Sequence, residues 1–368
     1  MCAHSHRVIA NLLKEVMKAA AEAKITVHCM RKAKLGSKPL DPDIPESTDN
    51  GAVLSSIRGR QAQVAGGTAW MWSRAEFLDA VDVLFVDEAG QMSLANVLAI
   101  AQGGKSLVLL GDPRQLEQPI QGSHPEGTEV SALDHVLGSA QTIPGDRGLF
   151  LAETWRLHPK ICALTSELFY EGRLHALPRL ERQALLGDVA FAGSGLWFVP
   201  VPHDANQSSS REEVDTIAEL VSGLVERSVR WRDRDGDERP LGVEHILVIA
   251  PYNAQVADLI ARLPAGTRVG TVDRFQGQEA PVVIYSMTTS TPEDAPHGME
   301  FLYSANRFNV ATSRAQGACI VVGSPRLFEP DCQSPRQIKL ANAFCRFLEV
   351  AREVWIGAPA HATPADPA

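Results

Sequence analysis

The residues best suited to chemistry in this chain are two adjacent acids, a glutamine and two arginines, each set beside an apolar run. Asp87-Glu88 follows the run at 81–86. In open parallel sheets, ligands bind beyond the carboxyl ends of the strands. There Asp87 can hold Mg²⁺, and Glu88 can polarise a water for attack on a phosphate. By itself an Asp-Glu pair more often serves only the N-terminus of a following helix. Gln115 lies in Gly111-Asp-Pro-Arg-Gln-Leu116, after the next apolar run at 107–110. It is a neutral donor and acceptor suited to sensing a γ-phosphate and orienting water, although Gly-Asp-Pro alone is an ordinary β-turn. Arg156 stands in Glu153-Thr-Trp-Arg-Leu-His-Pro159, and Arg314 ends Asn309-Val-Ala-Thr-Ser-Arg314. Arginines that reach a transferring phosphoryl group contribute about 10³–10⁵ in rate. A single helical arginine usually makes only a surface ion pair.

The elements that must position these groups alternate along the chain. Residues 4–23 carry apolar side chains at helical spacing, and 25–30 read as a strand. The Lys-, Pro- and Asp-rich stretch 31–50 reads as an exposed loop or small insertion. A short strand is expected at 63–70. The continuous apolar runs at 81–86 and 107–110 have the pattern of parallel strands buried on both faces. In the second half, helices are expected at 154–170, 211–231, 254–263, 308–315 and 337–354. Strands are expected at 197–201, 246–250, 267–270, 282–287 and 319–322, with a charged loop at 232–239. Strands alternating with helices imply parallel sheets with helices on both faces, twice over. The boundary is placed at 148, with an Ala/Pro-rich tail at 357–368 expected to be disordered.

Composition is that of a globular α/β protein. Of 368 residues, 45% are hydrophobic and 21% charged, and the net charge is -9. That balance disfavours nonspecific coating of nucleic acid, but permits a narrow basic groove. The six cysteines, Cys2, Cys29, Cys162, Cys319, Cys332 and Cys345, show no CxxC or zinc spacing and read as buried reduced thiols. No apolar run approaches the roughly 18 residues of a membrane span, and a soluble cytoplasmic protein is expected. Trp70, Trp72 and Trp155 read as core.

Taken in order, these blocks resemble the motor motifs of superfamily-one helicases of the five-prime-to-three-prime branch, which includes the nonsense-decay and Okazaki-fragment helicases. The resemblance extends from motif Ia at Ser5-His-Arg-Val-Ile9, through motif II at Asp87-Glu-Ala-Gly90 and motif III at 111–116, to motif IV at 154–159. It continues with motif V in Gly270-Thr-Val-Asp-Arg-Phe-Gln-Gly-Gln-Glu279 and motif VI at 309–314. The text at 122–126 and 167–174 looks most like bacterial helicases fused behind a RecB-type nuclease. The resemblance implies two RecA-like P-loop NTPase domains with mainly parallel sheets, 1–148 and 149–356, the first truncated. It implies ATP and Mg²⁺ as cofactors, with Asp87 on the metal and Glu88, Gln115, Arg156 and Arg314 catalytic. Gln276, Gly277 and Glu279 would contact the nucleotide, Glu279 at its ribose or phosphates. Ser5, Thr68, Tyr252 and Thr271 match positions that hold single-stranded DNA, with RNA as the alternative, and a nuclease domain upstream is a further implied partner. The family's G-x-x-x-x-G-K-[ST] loop does not occur in these 368 residues. Gly104-Lys105-Ser106 mimics its end, but it leads into a strand and reads as a helix-to-strand turn. A non-catalytic nucleic-acid-binding or interaction fragment is therefore the rival expectation.

Overall fold

The computed structural model describes residues 1–116, 130–226 and 228–356, so the block at 122–126 and the tail at 357–368 lie outside the described residues. The chain divides into two compact units, Met1–Ala140 and Gln141–Ala368.

The first unit is built on short parallel strands. Its opening helix, His6–Glu22, is capped by the Ser5 hydroxyl, which accepts the Val8 N–H at 3.2 Å, and it buries Ile9, Ala10 and Leu13. Cys29–Lys32 pairs in parallel with Glu46–Ser47 on one side and Val64–Gly66 on the other. Val81–Val86 pairs in parallel with Gly104–Leu109. Cys2 joins the two groups, bridging Gly67 and Val86. Leu84 and Val86 pack with Trp72, Phe77, Val97 and Ile100 in one core cluster. The indole of Trp72 and the ring of Phe77 meet edge to face at 5.5 Å.

Four expectations are corrected here. The first strand lies later than 25–30, because the opening helix runs to Glu22 and Lys24 then turns with φ of 57°, leaving Ile25 61% exposed. The polar stretch after it is not a plain exposed loop: Arg31 is only 1% exposed and is held by both Nε and Nη2 on one Glu46 oxygen, at 2.8 and 2.5 Å. The runs at 81–86 and 107–110 are strands, but they are not buried on both faces. Val83, Phe85, Leu107 and Leu110 are 39%, 37%, 37% and 37% exposed. Gly104–Leu109 is an edge strand, and the described helices cover only the face of Leu84 and Val86. Gly104-Lys105-Ser106 belongs to that strand rather than to a turn, and Lys105 is paired with Asp82 at 3.0 Å.

The second unit carries a six-stranded sheet in the order Arg268–Gly270, Ile246–Ile249, Ala280–Ser286, Ala315–Gly323, Gly195–Pro200 and Arg352–Glu353, parallel throughout. Three of these strands, Ile246–Ile249, Ala280–Ser286 and Gly195–Pro200, are buried at every position, and Ala315–Gly323 is buried apart from an intermediate Gln316, as expected for a sheet covered on both faces. Trp197 and Val199 share a core with Val214, Ile217 and Val221 of helix Arg211–Glu226. On the other face Phe198 meets Phe328 at 4.9 Å, while Phe308 and Phe344 lie 4.3 Å apart. The helix expected at 211–231 ends at Glu226; Arg230–Arg232 is instead a strand, antiparallel to Glu238–Pro240 and Ala184–Leu186. Ser228, at φ of 55°, makes the turn between them. The helix expected at 154–170 begins only at Pro159, whose ring suits a first helical turn.

Cys2, Cys29, Cys162 and Cys319 are buried, Cys332 and Cys345 half-buried, and all six are free thiols. Among the described residues no helix is long and apolar enough to cross a membrane.

Candidate active site

In the first unit the acid pair and the glutamine loop are built against each other. Asp87 leaves the carboxyl end of Val81–Val86, its N–H bonded to the Cys2 carbonyl at 2.9 Å. Glu88 follows with φ of 54°, a left-handed conformation that a side chain adopts only under local constraint. The constraint is visible: Leu110 N–H bonds to Val86 O and Ala89 N–H bonds back to Leu110 O, both at 2.8 Å. Two glycines permit this approach. A Cβ on Gly90 would meet Asp112 O at 2.7 Å, and one on Gly111, at φ of 148°, would meet Ala89 N at 2.9 Å. In the adjoining turn Asp112 accepts from Arg114 N at 2.9 Å and from the Gln115 side-chain amide at 3.1 Å. The Asp87 carboxyl is raised above its ordinary value by burial, against a smaller lowering from a backbone hydrogen bond at Glu88. A half-buried carboxylate of this kind suits Mg²⁺, which binds through one or two carboxylates together with substrate phosphates.

Of the other residues expected here, Ser5 caps its helix, and Thr68 precedes the short helix Ala69–Trp72 without capping it through its side chain. Trp72 is core, but Trp70 is 86% exposed, contrary to expectation.

In the second unit the arginine motifs converge. Arg156 donates from Nε to Glu279 at 2.5 Å and from Nη1 to the Ser313 carbonyl at 3.2 Å. The second Glu279 oxygen accepts from the Gln316 amide at 2.8 Å. Beneath them the Gln183 amide, only 2% exposed, donates to both Arg156 O and Gln316 O at 2.9 Å. Motifs scattered over more than 150 positions thus meet at one place. Arg156 and Glu279 remain partly open, at 30% and 43% of their side chains. Arg314 differs: it is 2% exposed, with Nε on Val310 O at 3.1 Å and Nη1 on Gln278 O at 3.3 Å. It braces the turn that carries Glu279. Gln276 is half-buried, and Gly277 turns at φ of 74° beside it.

Trp155 was expected in the core, yet it is 59% exposed, with the Arg179 guanidinium 4.8 Å from its ring. Arg234, from the antiparallel hairpin, donates to the Trp155 carbonyl at 3.2 Å. Tyr252 and Thr271 both follow strands, Ile246–Ile249 and Arg268–Gly270, at the carboxyl edge of the sheet. Tyr252 is buried, and burial raises its hydroxyl above the ordinary value. The sequence reading singled out neither Gln183, Gln316 nor Arg179. A buried glutamine reading two backbone carbonyls leaves no local pattern, whereas the Arg-rich text around 179–182 was visible.

Mostly parallel α/β sheets, with acids and a glutamine at strand ends of the first unit and arginines beside strands of the second, fit a P-loop-NTPase-like, RecA-like fold. The chain belongs to the AAA domain family, which matches residues 130–326. It is similar to the 5'-3' DNA helicase ZGRF1 of Mus musculus, 30% identical over 254 residues that cover 66% of this chain and 13% of that protein. It is similar to the RNA helicase Mov10l1 of Mus musculus, 30% identical over 285 residues, 67% of this chain and 23% of that protein. The Regulator of nonsense transcripts 1 homolog of Drosophila melanogaster is 25% identical over 273 residues, covering 66% and 21%. The chain therefore spans less than a third of the length of these relatives, and the matched part is a superfamily-one-like helicase motor domain. Two of these three relatives are named as helicases.

Proposed function

We propose that this chain is a motor segment of an ATP-dependent helicase that works on single-stranded nucleic acid, with RNA ahead of DNA as the polymer. The observation that carries the motor reading is the locked turn after Val81–Val86. There two glycines and the Leu110–Ala89 hydrogen bond hold Asp87 and a left-handed Glu88 at a strand's carboxyl end. The preference for RNA is supported by relatives named as an RNA helicase and a regulator of nonsense transcripts, against one named as a DNA helicase. In this reading Asp87 holds Mg²⁺, Glu88 takes the proton of the attacking water, and Gln115 orients that water. Within the second unit taken by itself, Arg156 is assigned to phosphate, Gln276 and Glu279 to nucleotide, and Arg314 to keeping the Glu279 turn in place. The exposed Trp155 ring offers a flat surface beside Arg156. When bound, Mg²⁺ neutralises charge on the β- and γ-phosphates. We further propose 1–148 and 149–356 as two RecA-like domains, the first incomplete, within a longer protein of the RecB-nuclease-fused bacterial type.

A second reading rests on the sequence. Without a G-x-x-x-x-G-K-[ST] run, the cradle of backbone donors and its lysine is not among these residues. By itself the chain would bind single strands and turn over ATP weakly or not at all. The test measures ATP turnover with and without oligo(U) and oligo(dT), for this chain and for the chain joined behind a strand, phosphate loop and helix. Stimulated turnover only in the joined protein, larger with oligo(U), is expected. No turnover in either protein would sink the motor reading, and equal stimulation by both polymers would sink the RNA preference.

A further inference from the structure

The carboxyl edge of the second unit's sheet carries a group of rings of which the family resemblance accounts only for Tyr252. Tyr252, 5% exposed, stacks on Phe301 with centroids 5.5 Å apart and planes at 30°. Phe301 is half-buried, and His297, exposed at the surface, meets it edge-on at 5.2 Å and lies 6.1 Å from Tyr252. The Arg307 guanidinium sits 4.6 Å from the Phe301 centroid and is paired with Asp273 at 3.0 Å. The rings thus climb from a buried tyrosine to an exposed histidine, with a cation alongside.

The chain leading to this group is anchored. The segment that carries it starts at Thr288, which turns with φ of 71°. The Thr288 N–H is bound by both oxygens of the fully buried Glu213 at 2.9 Å. Glu213 is in turn held by Ser286 at 2.5 Å and by His203 at 3.0 Å. Nearby acids are engaged: Asp294 accepts from Thr291 at 2.8 Å and Glu300 pairs with Arg336 at 2.9 Å. Exposed Glu293 is the like-charged neighbour that a polyanion would meet. Preorganised aromatics with an adjacent arginine, at the ligand-binding edge of a parallel sheet, are what a sequence-tolerant single-strand site uses to hold a base.

We infer that the exposed ring of His297, supported by Phe301 and Tyr252 and flanked by Arg307, is a stacking surface for one unpaired base of a single-stranded nucleic acid. The inference rests on the single-strand reading given above and adds the residues that grip the base. Fluorescence anisotropy of labelled oligo(U) and oligo(dT) with the full chain, free of nucleotide, tests it. His297→Ala and Phe301→Leu should each weaken binding about 5- to 150-fold, the range of one lost base stack. His297→Tyr should restore it, and none of the three should change the salt slope, since no phosphate contact is lost. Alanine and leucine variants that bind like the wild type, or a tyrosine variant as weak as the alanine one, would overturn the stacking surface and leave the single-strand reading standing. A wild-type chain that binds neither polymer at low salt would overturn both.

Discussion

Burial lifts the Asp87 carboxyl above its ordinary value, so the folded first unit disfavours that charge. Asp87→Asn removes the charge while keeping the shape, and should raise the unit's unfolding midpoint near neutral pH. The sign follows from linkage: a folded pKa above the unfolded one favours the folded state as pH falls. The gap between variant and wild type should therefore close as pH drops through the folded pKa toward the unfolded value. Circular dichroism melts at pH 7 and at pH 3 check this, and a variant less stable than wild type at pH 7 would contradict it. Arg31 makes the opposite case. It is 1% exposed and its guanidinium is paired with Glu46, so Glu46→Ala strands a buried cation. A loss of about 3–5 kcal/mol is expected, read by urea unfolding, with an apolar pair at both positions recovering much of it. On the role proposed for Glu88, Glu88→Gln in a protein with a phosphate loop should cut turnover by about 10²–10⁴, the usual contribution of general base catalysis. Nucleotide binding should survive, because the substitution keeps shape and removes only the base.

Among the described residues the strand Gly104–Leu109 has a neighbour on one side only, and Val83, Phe85 and Leu110 stand open on its sheet. An unpaired edge beside apolar side chains is prone to pair with another copy. Hydrogen exchange should accordingly protect residues 83–86 far less than Ile246–Ile249, which is buried at every position. Equal protection would contradict this. Leu107→Lys should reduce concentration-dependent association, measured by light scattering. The same contrast explains what the sequence could reveal. Continuous apolar runs announced Ile246–Ile249 and Ala280–Ser286, because a strand covered on both faces needs every residue apolar. The run at 81–86 was read the same way although Asp82 interrupts it, and apolar residues by themselves do not say whether a neighbour is present to cover them. Arg31 was read as loop because its partner Glu46 lies 15 positions away, and burial of an ion pair leaves no local periodicity. The motif residues were legible as types at strand ends. Their meeting was not: Arg156, Glu279, Ser313 and Gln316 come together through a sheet whose order differs from the sequence order.

At the scale of the molecule, the two units differ in how completely they are built. The second has a six-stranded sheet packed on both faces, while the first has sheets of two and three strands joined through Cys2. Heating should therefore give two transitions, the first from residues 1–140. A single transition that reports both units at once would contradict this. With a net charge of -9, nonspecific attraction to a polyanion is weak, so affinity for single strands should depend on stacking groups more than on charge.

The thiols offer a way to watch that difference. Cys2 and Cys29 lie in the first unit, and Cys162 and Cys319 in the second, all buried. Burial holds the thiols of Cys2 and Cys162 at about 11 and that of Cys319 at about 12, so in the folded state they are poor nucleophiles as well as hidden ones. Alkylation can then proceed only through opening of the surrounding structure. The native chain thus carries its own chemical clock, in which the order of labelled cysteines records which half of the protein breathes first.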